Sequence, residues 1–205
     1  MAMFFTSDQH FGHHRILELG EGRPFKHIDE HNDYIIKQWV KTVSHDDTVY
    51  VLGDVALGGF EDFPKSIKIF SWLPGKKMLI PGNHDKIWSG NSIAYRDKNR
   101  NYYVDAGFTI MPENHIIDFP ISETETTQVL LSHVPYASHL TERDSRRAEK
   151  FKKQTPPDEG MPLIHGHIHS KAKINGHPRS FHVGVDAHNF TPVGEAEIRD
   201  WLLNL

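Results

Sequence analysis

Cysteine is absent from the 205 residues. That excludes disulfides and thiolate metal ligands, and it suits a reducing compartment, so a cytoplasmic location is the expectation. Long apolar runs are missing too. No stretch of about 18 residues escapes polar interruption, which removes a membrane-spanning helix and a membrane partner from consideration. The first ten residues have neither a basic cluster nor an extended apolar stretch, so they read as a strand and not as a secretion signal. Positive charge is not in excess either. The formal net charge is −4, so the chain has no global basic footprint, and stable nucleic-acid binding is not expected. Hydrophobic residues make up 38% and glycines number 15, an ordinary globular composition that argues against disorder. The length favours one domain, over residues 1–205, with a sizeable core.

Histidine is what the chain has in abundance, with 16 copies. It is the commonest metal ligand and the usual acid-base group near neutral pH. Any single histidine is best read as a surface residue, so placement decides. Short apolar runs end abruptly in polar residues. Met3-Phe4-Phe5-Thr6 leads into Ser7-Asp8-Gln9-His10, and Thr48-Val49-Tyr50-Val51-Leu52 into Gly53-Asp54. Lys77-Met78-Leu79-Ile80 leads into Pro81-Gly82-Asn83-His84-Asp85, and Gln128-Val129-Leu130-Leu131 into Ser132-His133. Pro162-Leu163-Ile164 leads into His165-Gly166-His167-Ile168-His169. Such runs read as buried strands closed by turns. In α/β folds, sites form at the carboxyl ends of strands.

Helical spacing over 29–43, through Tyr34, Ile35, Trp39 and Val40, predicts one helix, and over 61–73 a second, stopped by Pro74-Gly75. Further strands are predicted over 108–111, 116–119 and 180–185. Helices alternate with strands early and strands dominate later, which predicts a mixed α/β arrangement with helices outside. Two segments read as insertions. Residues 86–103 are polar, with Trp88, Tyr95, Tyr102 and Tyr103. Residues 139–160 are rich in charge, with Arg143, Arg146, Arg147, Lys150, Lys152 and Lys153. The interleaved acids Glu142, Asp144 and Glu149 favour a solvated helix face there over a nucleotide-steering patch.

Taken together, the strand ends offer Asp8, His10, Asp54, Asn83, His84, Asp85, His133, His167 and His169. Alone, each is as well read as a turn former. Five such fragments at five strand ends are not. With Asp8-Gln9-His10, Gly53-Asp54, Gly82-Asn83-His84-Asp85, Ser132-His133 and Gly166-His167-Ile168-His169 in this order, the sequence resembles the calcineurin-like metallophosphoesterases. The blocks cover residues 8–169. Ser7 to His13, Arg23-Pro24-Phe25 and Val183-Gly184-Val185-Asp186 are similar to blocks of its small bacterial and bacteriophage phosphodiesterases, which include enzymes acting on cyclic nucleotides.

The resemblance implies an αββα fold, a β-sandwich flanked by helices with metals at the strand carboxyl ends. It implies that Asp8, His10 and His169 bind one divalent ion, Asn83, His133 and His167 a second, and that Asp54 bridges them. Imidazole and carboxylate ligands suit Mn, Fe, Zn or Ni. The implied reaction is in-line attack of a hydroxide generated at two metals on a phosphodiester. His84 would serve the leaving oxygen, and Asp85 would orient His84. The expected partner is a small phosphate ester, a nucleotide among the options.

Secondary candidates carry weaker signals. His13 or His14 could approach the phosphate, with a surface or helix-start role equally open. Arg23 could contact a phosphate oxygen, with a surface salt bridge the favoured alternative. Asp186 could support a metal-binding histidine from behind, or simply form a turn. His165 reads as a hydrogen-bonded core residue, and His27, His45, His115 and His177 as surface. A phosphomonoesterase, a pyrophosphatase, a non-catalytic scaffold and a nuclease component are the rival functions. The oligomeric state is not readable.

Overall fold

The computed structural model describes residues 1–19, 22–59, 61–139, 151, 153–174 and 176–205. The basic positions Arg143, Arg146, Arg147, Lys150 and Lys152 lie outside them. Two sheets form the centre. The first has the order β4-β3-β2-β1-β9, made of β4 (Phe108–Ile110), β3 (Lys76–Leu79), β2 (Thr48–Val51), β1 (Met3–Thr6) and β9 (Val193–Gly194). Its first four strands run parallel, and β9 runs antiparallel to β1. The second has the order β5-β6-β7-β8, made of β5 (Asn114–Pro120), β6 (Thr126–Ser132), β7 (Leu163–His165) and β8 (Ser180–His182). Here β5 and β6 form an antiparallel pair, and β6, β7 and β8 are parallel.

Strand alternation divides the core. Val49, Val51 and Leu79 face one way, onto α1 (Ile28–Thr42), α2 (Phe63–Lys68) and α3 (Ile93–Asp105). Phe5, Leu52 and Ile80 face the other way, onto Phe119, Val129, Leu131, Ile164 and Phe181 between the sheets. A fourth helix among the described residues, α4 (Glu195–Leu203), adds Ile198 to that second core. The result is a β-sandwich flanked by helices, as the sequence resemblance implied. No helix among the described residues is long and apolar enough to cross a membrane.

Helix α1 buries Ile28, His31, Ile35 and Trp39, a single face at helical spacing. Asp29 and Glu30 sit in its first turn and Lys41 in its last, which suits the helix dipole. The predicted helix over 61–73 is shorter: α2 has Pro at its start and tightens into a 3₁₀ turn over Ile69–Trp72. Residues 86–103, read as an insertion, instead hold most of α3. That helix buries only Asn99 and Tyr103, so it has almost no apolar stripe to read. Ser92 caps it by accepting a hydrogen bond from the Tyr95 amide. The strand predicted over 180–185 ends at His182, because the chain then crosses to the first sheet and pairs Gly184 with Ser7.

Trp39 is fully buried, and its indole N–H donates to the Pro74 carbonyl at 3.0 Å. Trp39→Ala should lower unfolding stability by about 3–5 kcal/mol with little change in m-value, measured by urea denaturation.

Candidate metal centre

Because β1, β2 and β3 are parallel, and so are β6, β7 and β8, their carboxyl ends gather chemistry at one edge of each sheet. The Ser7–Gly184 pairing ties those edges together, with the Ser7 amide donating to Val183 and the Val185 amide to Ser7. Five of the seven described non-glycine residues with positive φ are ligand candidates: Asp8 at 62°, His10 at 50°, Asp54 at 55°, His167 at 73° and His169 at 49°. The left-handed turn aims each side chain inward at a conformational cost. Close backbone approach requires glycine. A Cβ on Gly82 would collide with the Asp54 carboxylate, and one on Gly166 would lie 2.6 Å from Asp8 Oδ2.

The ligand atoms converge. His10 Nε2 and His169 Nε2 lie 3.9 and 3.8 Å from Asp8 Oδ1. Asp54 Oδ2 lies 3.5 Å from His10 Nε2 and 3.4 Å from His133 Nε2. Asn83 Oδ1 is 3.1 Å from His133 Nε2 and 2.7 Å from His167 Nδ1. Metal bonds of about 2.0–2.2 Å place neighbouring ligand atoms roughly 3–3.5 Å apart, and these separations bracket that spacing. Asp8, His10, Asp54 and His133 are buried. Asp8 Oδ1 and both His10 nitrogens have no hydrogen-bond partner. Burying such atoms is expensive unless something else satisfies them. A divalent cation does so, and the residues present fit one.

The other atoms of these groups are fixed. Asp8 Oδ2 accepts from Ser7 Oγ at 2.5 Å and from the His167 amide at 3.0 Å. Asp54 Oδ1 accepts from the His84 amide at 2.8 Å. His133 Nδ1 donates to the Leu52 carbonyl at 2.6 Å, which turns its Nε2 lone pair toward Asp54. Burial holds His10 well below the usual histidine range, and burial with repulsion from His133 takes His167 down to about 3. Burial opposes charge on His133 as well, yet the Asp54 carboxylate overrides it and raises the ring to about 10.

Asp186 stands behind this shell, where its Oδ2 accepts from His169 Nδ1 at 3.2 Å. Burial alone would raise the Asp186 carboxyl, but the His169 hydrogen bond and Arg23 hold it well below the usual carboxylate range. Arg23 is buried, a correction to the surface salt bridge favoured from sequence. Its Nε and Nη2 grip Asp186 at 2.9 and 2.8 Å. Nη2 also donates to the Asp8 carbonyl, and Nη1 to the Gln9 carbonyl and His31 Nε2. All five N–H donors of the guanidinium are thereby engaged, so a phosphate contact has no donor left.

Asp85 departs from its expected role of orienting the His84 ring. Fully buried, it accepts from the amides of Asp54, Val55 and Gly82 and from the Tyr103 hydroxyl. It pins the β2 and β3 loops to each other. Burial, then the Asp54 carboxylate, push its pKa up to about 7. The His84 ring is exposed and stands over the centre, 5.4 Å between centroids from His10 and 6.3 Å from His13. His13 is half-buried beside His10, at 5.2 Å. His14 is exposed, and so are His27 and His45, whereas His115 and His177 are half-buried. His165 is buried, with Nδ1 facing the Gly166 carbonyl, in line with its core reading. Sequence reasoning did not pick out Ser7, Tyr103, His31 or Phe151, whose ring packs edge-on against His167 at 5.4 Å. Ser7 opened a recognised block and Tyr103 was named among the aromatics of 86–103, but neither was given a role.

The model of the calcineurin-like phosphoesterase family matches residues 1–171. The Gene 66 protein of Mycobacterium phage L5 is 34% identical over 90% of this chain and 86% of its own length. That of Mycobacterium phage D29 is 33% identical over 94% of this chain and 92% of its own. A crystal structure of AQ665 from Aquifex aeolicus, described as a protein of unknown function, superposes with a TM-score of 0.66. The two are 28% identical, and the match covers 97% of this chain and 98% of that one.

Asp186→Asn should weaken metal affinity about 10- to 100-fold, measured by calorimetric titration of metal into stripped protein. An unchanged affinity would show that Asp186 does not act through His169.

Proposed function

The chain belongs to the calcineurin-like phosphoesterase family, whose members are metal-dependent phosphoesterases, and we propose that it hydrolyses phosphodiesters at a centre of two divalent cations. Asp8, His10 and His169 would hold one, Asn83, His133 and His167 the other, and Asp54 would serve both. The all-nitrogen-and-oxygen set suits Mn, Fe, Zn or Ni. When bound, such ions supply Lewis acidity toward phosphoryl oxygens and lower the pKa of coordinated water.

The observation that carries the reading is the convergence of these seven side chains into a cup with a buried floor and an accessible rim. Asp8, His10, Asp54 and His133 make the floor, while Asn83, His167 and His169 are partly exposed. His84 stands at the rim with its backbone N–H tied to Asp54. Its ring donates to the leaving oxygen of the ester, which is general acid catalysis worth about 10²–10⁴-fold. His13 donates to a non-bridging phosphoryl oxygen. The preference for diesters is supported by charge. A monoester dianion calls for further cationic side chains, and among the described residues the guanidinium that packs against the centre, Arg23, is fully engaged behind it. A cyclic nucleotide is one candidate among small diesters.

Turnover of an aryl diester, a cyclic nucleotide and an aryl monoester should be compared with Mn, Ni, Zn and Fe added in turn. Diester turnover should lead, and dominant monoester turnover overturns the preference. His84→Ala should retain metal and slow diesters about 10²-fold or more, most of all those with poor leaving groups. Equal slowing across leaving groups would assign His84 to phosphate binding instead.

A further inference from the structure

The aromatic residues that follow Asp85 divide into two pairs. Trp88 and Tyr103 are buried. Trp88 packs on Phe151, and Tyr103 donates toward Asp85. Tyr95 and Tyr102 are exposed on α3, where they line a cleft of about 130 Å³ with Phe63, Lys86, Lys98 and Asn99. The Lys86 ammonium lies 4.4 Å above the centre of the Phe63 ring and 5.9 Å from that of Tyr95. It also donates to the Tyr95 hydroxyl at 3.3 Å.

The charged residues that line this cleft have one sign. Because the Tyr95 oxygen accepts from Lys86, its own O–H is left to donate outward. The Asn99 amide nitrogen is turned inward, to the Tyr95 carbonyl at 2.7 Å. Lysine and arginine ion pairs among the described residues belong to Arg23, Lys173, Arg179 and Arg199, so no described carboxylate pairs with Lys86 or Lys98. Of the acids adjacent in sequence to lining residues, Asp85 is turned to the amides of Asp54, Val55 and Gly82, Asp97 is exposed beside Lys98, and Asp62 has a carboxylate oxygen close to Gly59. The Lys86 ammonium and the Tyr95 phenol, with Lys98 among the lining residues, thus border a small space, a donor set suited to phosphate. The volume is well under the roughly 300–1,000 Å³ of sites that enclose whole small molecules, so it suits a single compact group. Lys86 follows Asn83 by three residues, which keeps its backbone within about 11 Å of a ligand of the metal centre.

We propose that this cleft is an anion subsite that takes a second phosphate group of the substrate, on the portion not held at the metal centre. The assignment rests on the hydrolase reading above. It makes Lys86 and Lys98 specificity determinants that distinguish a diester bearing an additional phosphate from one without it.

Two measurements on the metal-loaded protein test this. With zinc bound, inorganic phosphate should shift the backbone amide resonances of residues 95–102 as well as those of the metal loops. Lys98→Ala should abolish the α3 shifts and keep the metal-loop ones. In turnover, Lys98→Ala should lower the ratio of kcat/KM for a two-phosphate ester over a one-phosphate diester about tenfold, through KM, and Lys86→Met should do the same. Absent α3 shifts overturn the subsite. Shifts with an unchanged ratio overturn its assignment to substrate. If neither ester is turned over but the α3 shifts appear and depend on Lys98, the hydrolase reading fails and the anion site stands.

Discussion

Two carboxylates with almost no access to water, Asp8 and Asp54, set the terms for everything near them. A buried carboxylate is tolerated only when paired or ligated. Each here has one oxygen satisfied by the protein and one aimed at imidazole nitrogens. Parallel strands bring the two side by side, and Gly82 and Gly166 allow the neighbouring loops to close over them. The sandwich is the means by which two negative charges are held together until positive charge offsets them.

Support around the two sides of the centre differs in kind. Behind His169 stands a charged relay, Asp186 gripped by Arg23, and Arg23 also holds the carbonyls of Asp8 and Gln9. Phe190 caps that guanidinium at 5.7 Å and sits among Phe25, His31 and Tyr34. Behind His133 there is a neutral carbonyl, that of Leu52, and beside His167 an aromatic wall, Phe151. Networks of the first kind fix orientation rigidly, because removing one partner leaves an uncompensated charge.

Most of the candidate centre was legible in the sequence because its residues sit two to five positions past apolar runs that read as buried strands. Asp8, Asp54 and His133 could be placed at strand ends by inspection. The failures have physical causes. Helix α3 carries its polar character on nearly every face, so periodicity had nothing to detect. Strand β9 is two residues long and is held by its pairing to β1, a contact between distant parts of the chain. Arg23 gave no sign of burial, since its partners are one distant carboxylate and a set of backbone carbonyls that leave no trace in residue identity. Asp85 was misjudged for a related reason. A short motif shows which residues are adjacent, not which backbone amides a carboxylate will collect.

The left-handed turns at Asp8, His10, Asp54, His167 and His169 bear on how far this centre could travel. Copying its side chains onto another scaffold would not reproduce it, since extended or right-handed backbone would point the same residues elsewhere. Such conformations cost about 1–2 kcal/mol for a residue with a Cβ and nothing comparable for glycine. A lineage that abandoned the chemistry would therefore find glycine or asparagine the favoured replacement at each of the five. The shape of the turns would persist as a fossil after the metal had gone.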